Sequence, residues 1–216
     1  MPNPFRRKKS WHDHFQEGIK RGSTSDFAGA EASFREAVRL APDEPYPHYE
    51  LGYTLALVGR HEEALEEFNR TQHLSRAFFA VETEIWMCEQ ILSGSIDASV
   101  LDNLRSLQAL ADEGQAQSDD AAALSRKVIE RAPDCALGHF HLGKAVFEDD
   151  PPLAMEELRR CIELSPDDTT AINAKWHLGA LLEEDGRQED ARALWDEIVS
   201  DYTGHPAAEF ARSLRP

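Results

Sequence analysis

Apolar residues recur along this chain at the spacing of amphipathic helices, in paired blocks divided by short polar turns. Trp11, Phe15 and Ile19 make the first row, and Gly22-Ser23-Thr24-Ser25 breaks it. Asp26 opens a second row through Phe27, Ala30, Phe34, Ala37, Val38 and Leu40. Pro42 stops that row, because proline has no N–H for the helix ladder and its ring clashes with the preceding turn. The next block repeats the plan, with Pro45 and Pro47 at its start, Leu51-Gly52 mid-helix and Gly59 at the turn. Ala64, Leu65, Phe68 and Leu74 then form the second stripe. Gly18, Ala30 and Phe34 are answered by Gly52, Ala64 and Phe68, each displaced by 34 residues. A fixed period of roughly 20–50 residues predicts a repeat architecture, with an elongated core in which each unit touches only its neighbours.

The C-terminal half carries the same pattern. Leu142-Gly143, Ala154, Leu158, Cys161-Ile162, Leu164 and Pro166 outline one unit over 136–168. Its turn, Glu148-Asp149-Asp150-Pro151-Pro152, is one residue shorter than the others, and proline there suits the first turn of a helix. Leu178-Gly179, Gly186, Ala191, Trp195 and Ile198-Val199 outline another over 172–203. The stretch Leu51-Gly52-Tyr53, Gly59-Arg60-His61-Glu62-Glu63-Ala64-Leu65 and Phe68 resembles the tetratricopeptide repeat, a helix–turn–helix unit closed by proline. The resemblance implies an all-α fold: a right-handed superhelical solenoid of antiparallel helix pairs with an irregular helical middle and a C-terminal capping helix. In such a unit glycine lets the two helices approach, alanine packs at their crossing and the aromatic fills the remaining gap.

The expected layout is a basic flexible N-terminus at 1–10, two units over 11–78, an irregular helical segment over 79–135, two units over 136–203 and a capping helix within 204–216. In the middle, Ala80 to Leu92 and Ile96 to Glu113 read as helices, and a third, capped by Ser118-Asp119-Asp120, ends before Pro133. The last two form a degenerate repeat, with Ala121, Val128-Ile129 and Pro133 in place but the Leu-Gly pair and the aromatic missing. The 80–92 helix has no repeat partner.

A net charge of −17 over 216 residues speaks against a nucleic-acid surface and for an acidic interaction protein. Arg6, Arg7, Lys8 and Lys9 form a lone basic run that reads as a solubilising terminus. No apolar run approaches the ~18 residues of a membrane span, and no apolar leader follows Met1. Cys88, Cys135 and Cys161 are unclustered within helical patterns, the usage of a reducing compartment, so the cytoplasm is the expected location.

Catalytic signatures are missing: the chain has no GxGxxG, GxxxxGK[ST], HExxH, GxSxG or CxxC, and neither an enzyme nor a cofactor is expected. His12 and His14, like His139 and His141, stand two apart on helices and point away from each other. His141 and His177 occupy matching places in neighbouring units, but two imidazoles fall short of the four ligands of a structural zinc site. The pairs Glu62-Glu63, Glu66-Glu67 and Glu156-Glu157 read as solvated helix faces, with no pocket to raise a carboxylate pKa.

In the family that the chain resembles, the first helix of each unit lines the concave surface. Carried over residue by residue, this places His12, Phe15, Gln16 and Ile19 on that surface, then Tyr46, Tyr49, Glu50 and Tyr53. The later units contribute Leu137, Phe140, His141, Lys144 and Phe147, then Asn173, Trp176, His177 and Glu183. The partner-binding candidates are Phe15, Tyr46, Tyr49, Tyr53, Phe140, His141, Lys144, Phe147, Trp176 and His177, a ring-rich set of the kind that dominates interface energetics. Some of these rings compete with a role in the core between helices. Some family members grip a C-terminal carboxylate with cationic and amide side chains, but Phe15, Tyr46 and Glu50 at matching positions are not cationic. The function expected is a scaffold or adaptor that takes a peptide or protein partner in an aromatic groove. The alternatives are a homodimer formed through Phe78, Phe79, Trp86 and Met87 and, third, a small-ligand site.

Overall fold

A computed structural model describes residues 8–75, 80–165, 168–201 and 212. The described residues form eleven helices and no strand: α1 (Trp11–Gly22), α2 (Phe27–Leu40), α3 (Pro45–Leu57), α4 (His61–Leu74), α5 (Ala80–Ser93), α6 (Ala98–Asp112), α7 (Asp119–Arg131), α8 (Ala136–Ala145), α9 (Pro151–Leu164), α10 (Asp168–Glu184) and α11 (Gln188–Asp201). They divide into two compact units, residues 1–92 and 93–216. The basic run at 6–9 up to Arg7, the residues Phe78 and Phe79, and the expected capping helix other than Arg212 lie outside the described residues.

Helix starts follow the side chains that can satisfy free backbone N–H groups. Ser10 and Asp13 form a reciprocal capping box on α1. Asp26, Ser118 and Asp150 each accept a backbone hydrogen bond three residues on, from Gly29, Ala121 and Leu153. α6 starts at Ala98 and not at Ile96, because Asp97 caps it by accepting from the N–H groups of Ser99 and Val100. Ile96, outside the helix, is buried, as is Leu101, and the two occupy the positions of a hydrophobic staple.

In the first unit α1 pairs with α2 and α3 with α4, and α2 hands on to α3. The core holds Ala30, Phe34, Leu51, Leu55, Ala64 and Phe68, joined by Val81, Ile85 and Cys88 of α5. The helix without a repeat partner is thus a wall of the first core. In the second unit α6 pairs with α7, α8 with α9 and α10 with α11, and the first helices touch in series, α6 to α8 and α8 to α10.

Each well-formed pair is built on one close approach. A Cβ added at Gly18 would stand 2.5 Å from the Phe34 ring, and one at Gly52 would stand 2.9 Å from Phe68. The same addition at Gly143 would come within 2.8 Å of Leu158, and at Gly179 it would overlap the indole of Trp195. Separations under 3.0 Å force something to move, so the glycine is required by its ring or leucine partner. Where the partner is largest, at Trp195, the indole Nε1 is buried without a hydrogen-bond partner.

Candidate partner-binding faces

The position three residues before each of these glycines carries a ring: Phe15, Tyr49, Phe140 and Trp176. Three of them lean on the bulky residue of the second helix. Phe15 lies 5.9 Å from Phe34, Tyr49 lies 5.8 Å from Phe68 and Trp176 lies 5.8 Å from Trp195, centroid to centroid. These rings are half-buried and hold each helix pair together as well as facing its surface. Phe140 differs. Leu158 opposite Gly143 offers no ring, and Phe140 instead meets His141, His177 of α10 at 5.9 Å and the Lys144 ammonium at 5.4 Å. Phe147 closes the same group at 5.8 Å from His177.

Phe140, His141, Lys144, Phe147 and His177 are therefore brought together on one face shared by α8 and α10. Lys144 and both imidazoles form no hydrogen bond or ion pair with any described residue. Burial pushes both imidazoles down to about 4, with the Lys144 ammonium adding to the effect, and burial also lowers Lys144 itself. Above pH 6.5 the face therefore presents two neutral rings and one unpaired amine.

In the first unit Tyr46 is 58% exposed, and Tyr49 and Tyr53 lie nearly parallel at 6.4 Å, half-buried. Between them in sequence is Glu50, which burial raises above the ordinary carboxylate range. This corrects the expectation that no carboxylate here is perturbed. The Glu50 carboxyl has no hydrogen-bond or ion-pair partner among the described residues, although the Glu50 carbonyl accepts from Thr54 Oγ1. It stands two residues before Gly52, as His141 and His177 stand two before Gly143 and Gly179.

A second correction concerns the acidic pairs. Glu67 and Glu157 are only partly solvated, because each meets a buried histidine four residues before the repeat glycine. His48 places Nδ1 2.6 Å from Glu67 Oε2 and Nε2 3.0 Å from the Pro42 carbonyl. His139 does the same with Glu157 at 2.5 Å and the Pro133 carbonyl at 2.9 Å. A carbonyl can only accept, so Nε2–H donates to proline, and the contact at Nδ1 needs a second hydrogen, on the ring or on the carboxyl. The ring thus ties its own helix to the second helix of its unit and to the end of the unit before. Lys175, in the same register of α10, is buried and bonds Glu197 of α11. The spacing of these histidines from Gly52 and Gly143, and the glutamate just before Phe68 and Leu158, was the available sign.

Of the proposed homodimer residues within the described part, Trp86 is half-buried and Met87 buried. The three cysteines are free and buried. No helix among the described residues is long and apolar enough to cross a membrane.

The tetratricopeptide repeat model matches residues 15–77, the two helix pairs whose glycine and aromatic positions are described above. The two helix pairs over residues 15–77 are tetratricopeptide repeats. Among solved structures, the flexible tandem repeat domain of a bacterial cellulose synthase component is similar at a TM-score of 0.67 and 15% identity, over 96% of this chain and 99% of that one. That likeness extends the helix-pair fold beyond the matched segment. YrrB, described as a TPR protein with an unusual peptide-binding site, aligns at a TM-score of 0.43 and 14% identity, over 94% of this chain and 91% of its own. The TPR2AB domain of yeast Sti1, in complex with a pHSP90 segment, aligns at 0.46 and 13%, over 95% and 83%. No curated protein sequence matches the chain.

Proposed function

We propose that this protein is a scaffold or adaptor that binds a peptide segment or partner protein along the first helices of its repeats. The single observation that carries the reading is the cluster of Phe140, His141, Lys144, Phe147 and His177, where rings and unpaired polar groups share one face. Rigid rings supply contact area at small entropic cost, and polar groups with no internal partner gain most from an external one. In the first unit Tyr46, Tyr49 and Tyr53 around Glu50 supply the corresponding surface, with Phe15 preceding them. Trp176 extends the second surface while bracing Trp195. Placement of the protein in the cytoplasm belongs to the same reading.

Site-specific photo-crosslinking tests it. A photoreactive residue at Tyr46 or Phe147 is expected to capture one and the same partner in cells, whereas the exposed second-helix positions Glu66 and Arg159 capture none of it. Capture from Glu66 and Arg159 alone would move binding to the opposite face and overturn the assignment.

A further inference from the structure

The second unit carries more uncompensated positive character on its first helices than one lysine supplies. Leu107 stands five residues before the end of α6, as Gly52 and Gly179 do in α3 and α10. By that count Arg105 takes the place of Glu50 and His177, two residues before that point. Its Nε is buried without a hydrogen-bond partner, and its guanidinium enters no ion pair among the described residues. His141 is only 9% exposed, and neither of its ring nitrogens meets a partner among the described residues. Buried polar groups are satisfied in the great majority of cases, so the orphaned Arg105 Nε suggests a partner that is absent when the chain is alone. Most other described arginines behave differently: Arg21, Arg35, Arg39, Arg60, Arg70, Arg131, Arg160 and Arg187 all pair with carboxylates of the chain.

We propose that the row of Arg105, His141 and His177, with Lys144 beside it, accepts side-chain carboxylates of an acidic partner segment whose apolar residues seat against Phe140 and Phe147. Arginine and lysine donate only, and a neutral imidazole donates from one nitrogen, so the row is a set of donors awaiting acceptors. Alternation of acids with apolar residues fits because His141, His177 and Lys144 share one face with the two phenylalanines. The net charge of −17 does not prevent this, since salt of physiological strength screens exposed charges beyond about 8 Å while a local, partly desolvated pair is screened much less. The inference rests on the groove reading above and names the chemistry of its occupant in the second unit.

The test uses the full chain and fluorescent peptides that alternate Glu with Leu, in a C-terminally amidated form and a free-acid form, read by anisotropy. A matched peptide with Gln in place of Glu serves as the neutral counterpart. The amidated Glu peptide is expected to bind about tenfold or more tighter than the Gln peptide, the size of one or two charge-assisted hydrogen bonds. Arg105→Met and Lys144→Met, which keep the apolar stems, are each expected to remove most of that difference, with Lys144→Arg restoring it. Circular dichroism on every variant separates loss of binding from loss of fold. Equal binding of the Glu and Gln peptides, both competing with a photo-crosslink at Phe147, would overturn the carboxylate assignment and leave the groove reading standing. Tighter binding of the free acid alone would move the carboxylate from the side chains to a chain terminus and likewise overturn it. If neither peptide binds while a cellular partner still crosslinks at Phe147, the inference fails and the groove stands. Failure of that crosslink as well would sink both.

Discussion

The two units share one construction and differ at one register position. In both, a glycine on the first helix admits a bulky residue from the second, and a histidine four residues earlier bridges a glutamate and a proline carbonyl. Two residues before that glycine, the first unit places Glu50 and the second places His141 and His177. The positions that build the fold are thus constrained by contact, while the position between them is free to carry an acid or a neutral ring. The repeat fixes the backbone, and the chemistry of the face is written on the residues that the packing does not use.

Removing the shared construction should hurt both units, and by the most. Phe68→Ala leaves a cavity opposite Gly52, expected to cost about 3–5 kcal/mol, and Leu158→Ala opposite Gly143 about 2–5 kcal/mol, measured by urea unfolding. Costs well below about 1 kcal/mol in either unit would show that the glycine approach is not what holds the pair. Gly179→Ala should cost about 1–3 kcal/mol by overpacking against the Trp195 indole, and Trp195→Phe in the same chain should recover part of it.

The histidine bridges come next. His48→Ala or His139→Ala leaves a partly buried carboxyl and a proline carbonyl without their partner, at about 1–3 kcal/mol each. Similar losses in both units would support the shared role, and a loss in one unit only would break the equivalence.

The pH dependence separates the units more finely. His141 and His177 hold folded-state values of about 4 against 6.5 when free, so between those limits the unfolded chain binds protons that the folded chain does not. Stability supplied by keeping the rings neutral is therefore complete above pH 6.5 and is lost as the pH falls toward 4, by at most about 3 kcal/mol per ring. A His141→Leu, His177→Leu variant should show a flatter decline than the parent over that window in thermal melts, and parallel curves would contradict the assignment. Glu50 is displaced in the opposite sense. Burial makes its folded carboxyl hold a proton that the unfolded chain has already lost, so it weakens the fold as the pH rises past 4.5. Glu50→Gln should stabilise the protein slightly at neutral pH, on the order of 0.5 kcal/mol, with the gain gone in acid.

Much of this architecture is legible in the sequence for a physical reason. The 34-residue interval of Gly18 and Gly52, with Phe34 and Phe68, reports contacts that only particular side-chain sizes permit. The start of α6 is misread because Ile96 extends the apolar row, whereas the capping chemistry of Asp97 decides where the helix begins. The faces are harder to read. Phe15, Tyr49 and Trp176 bear the spacing of surface rings and also brace the helix pair, which no spacing distinguishes. Arg105 escapes notice because its repeat lacks the Leu-Gly marker that would align it, and Glu67 looks solvated until His48 is seen beneath it.

The most direct test of the central claim exchanges the charges of the two faces, carried by Glu50 in the first unit and by Lys144, next to His141 and His177, in the second. A chain carrying Glu50→Lys together with Lys144→Glu keeps every glycine contact and both histidine bridges. Binding of the alternating Glu-Leu peptide and of a matching Lys-Leu peptide is measured with a photoreactive residue at Tyr46 or at Phe147. The account predicts that the parent crosslinks the acidic peptide from Phe147 and the basic one from Tyr46, and that the exchanged chain reverses both. Retention of the parent pattern in a folded, exchanged chain would contradict it.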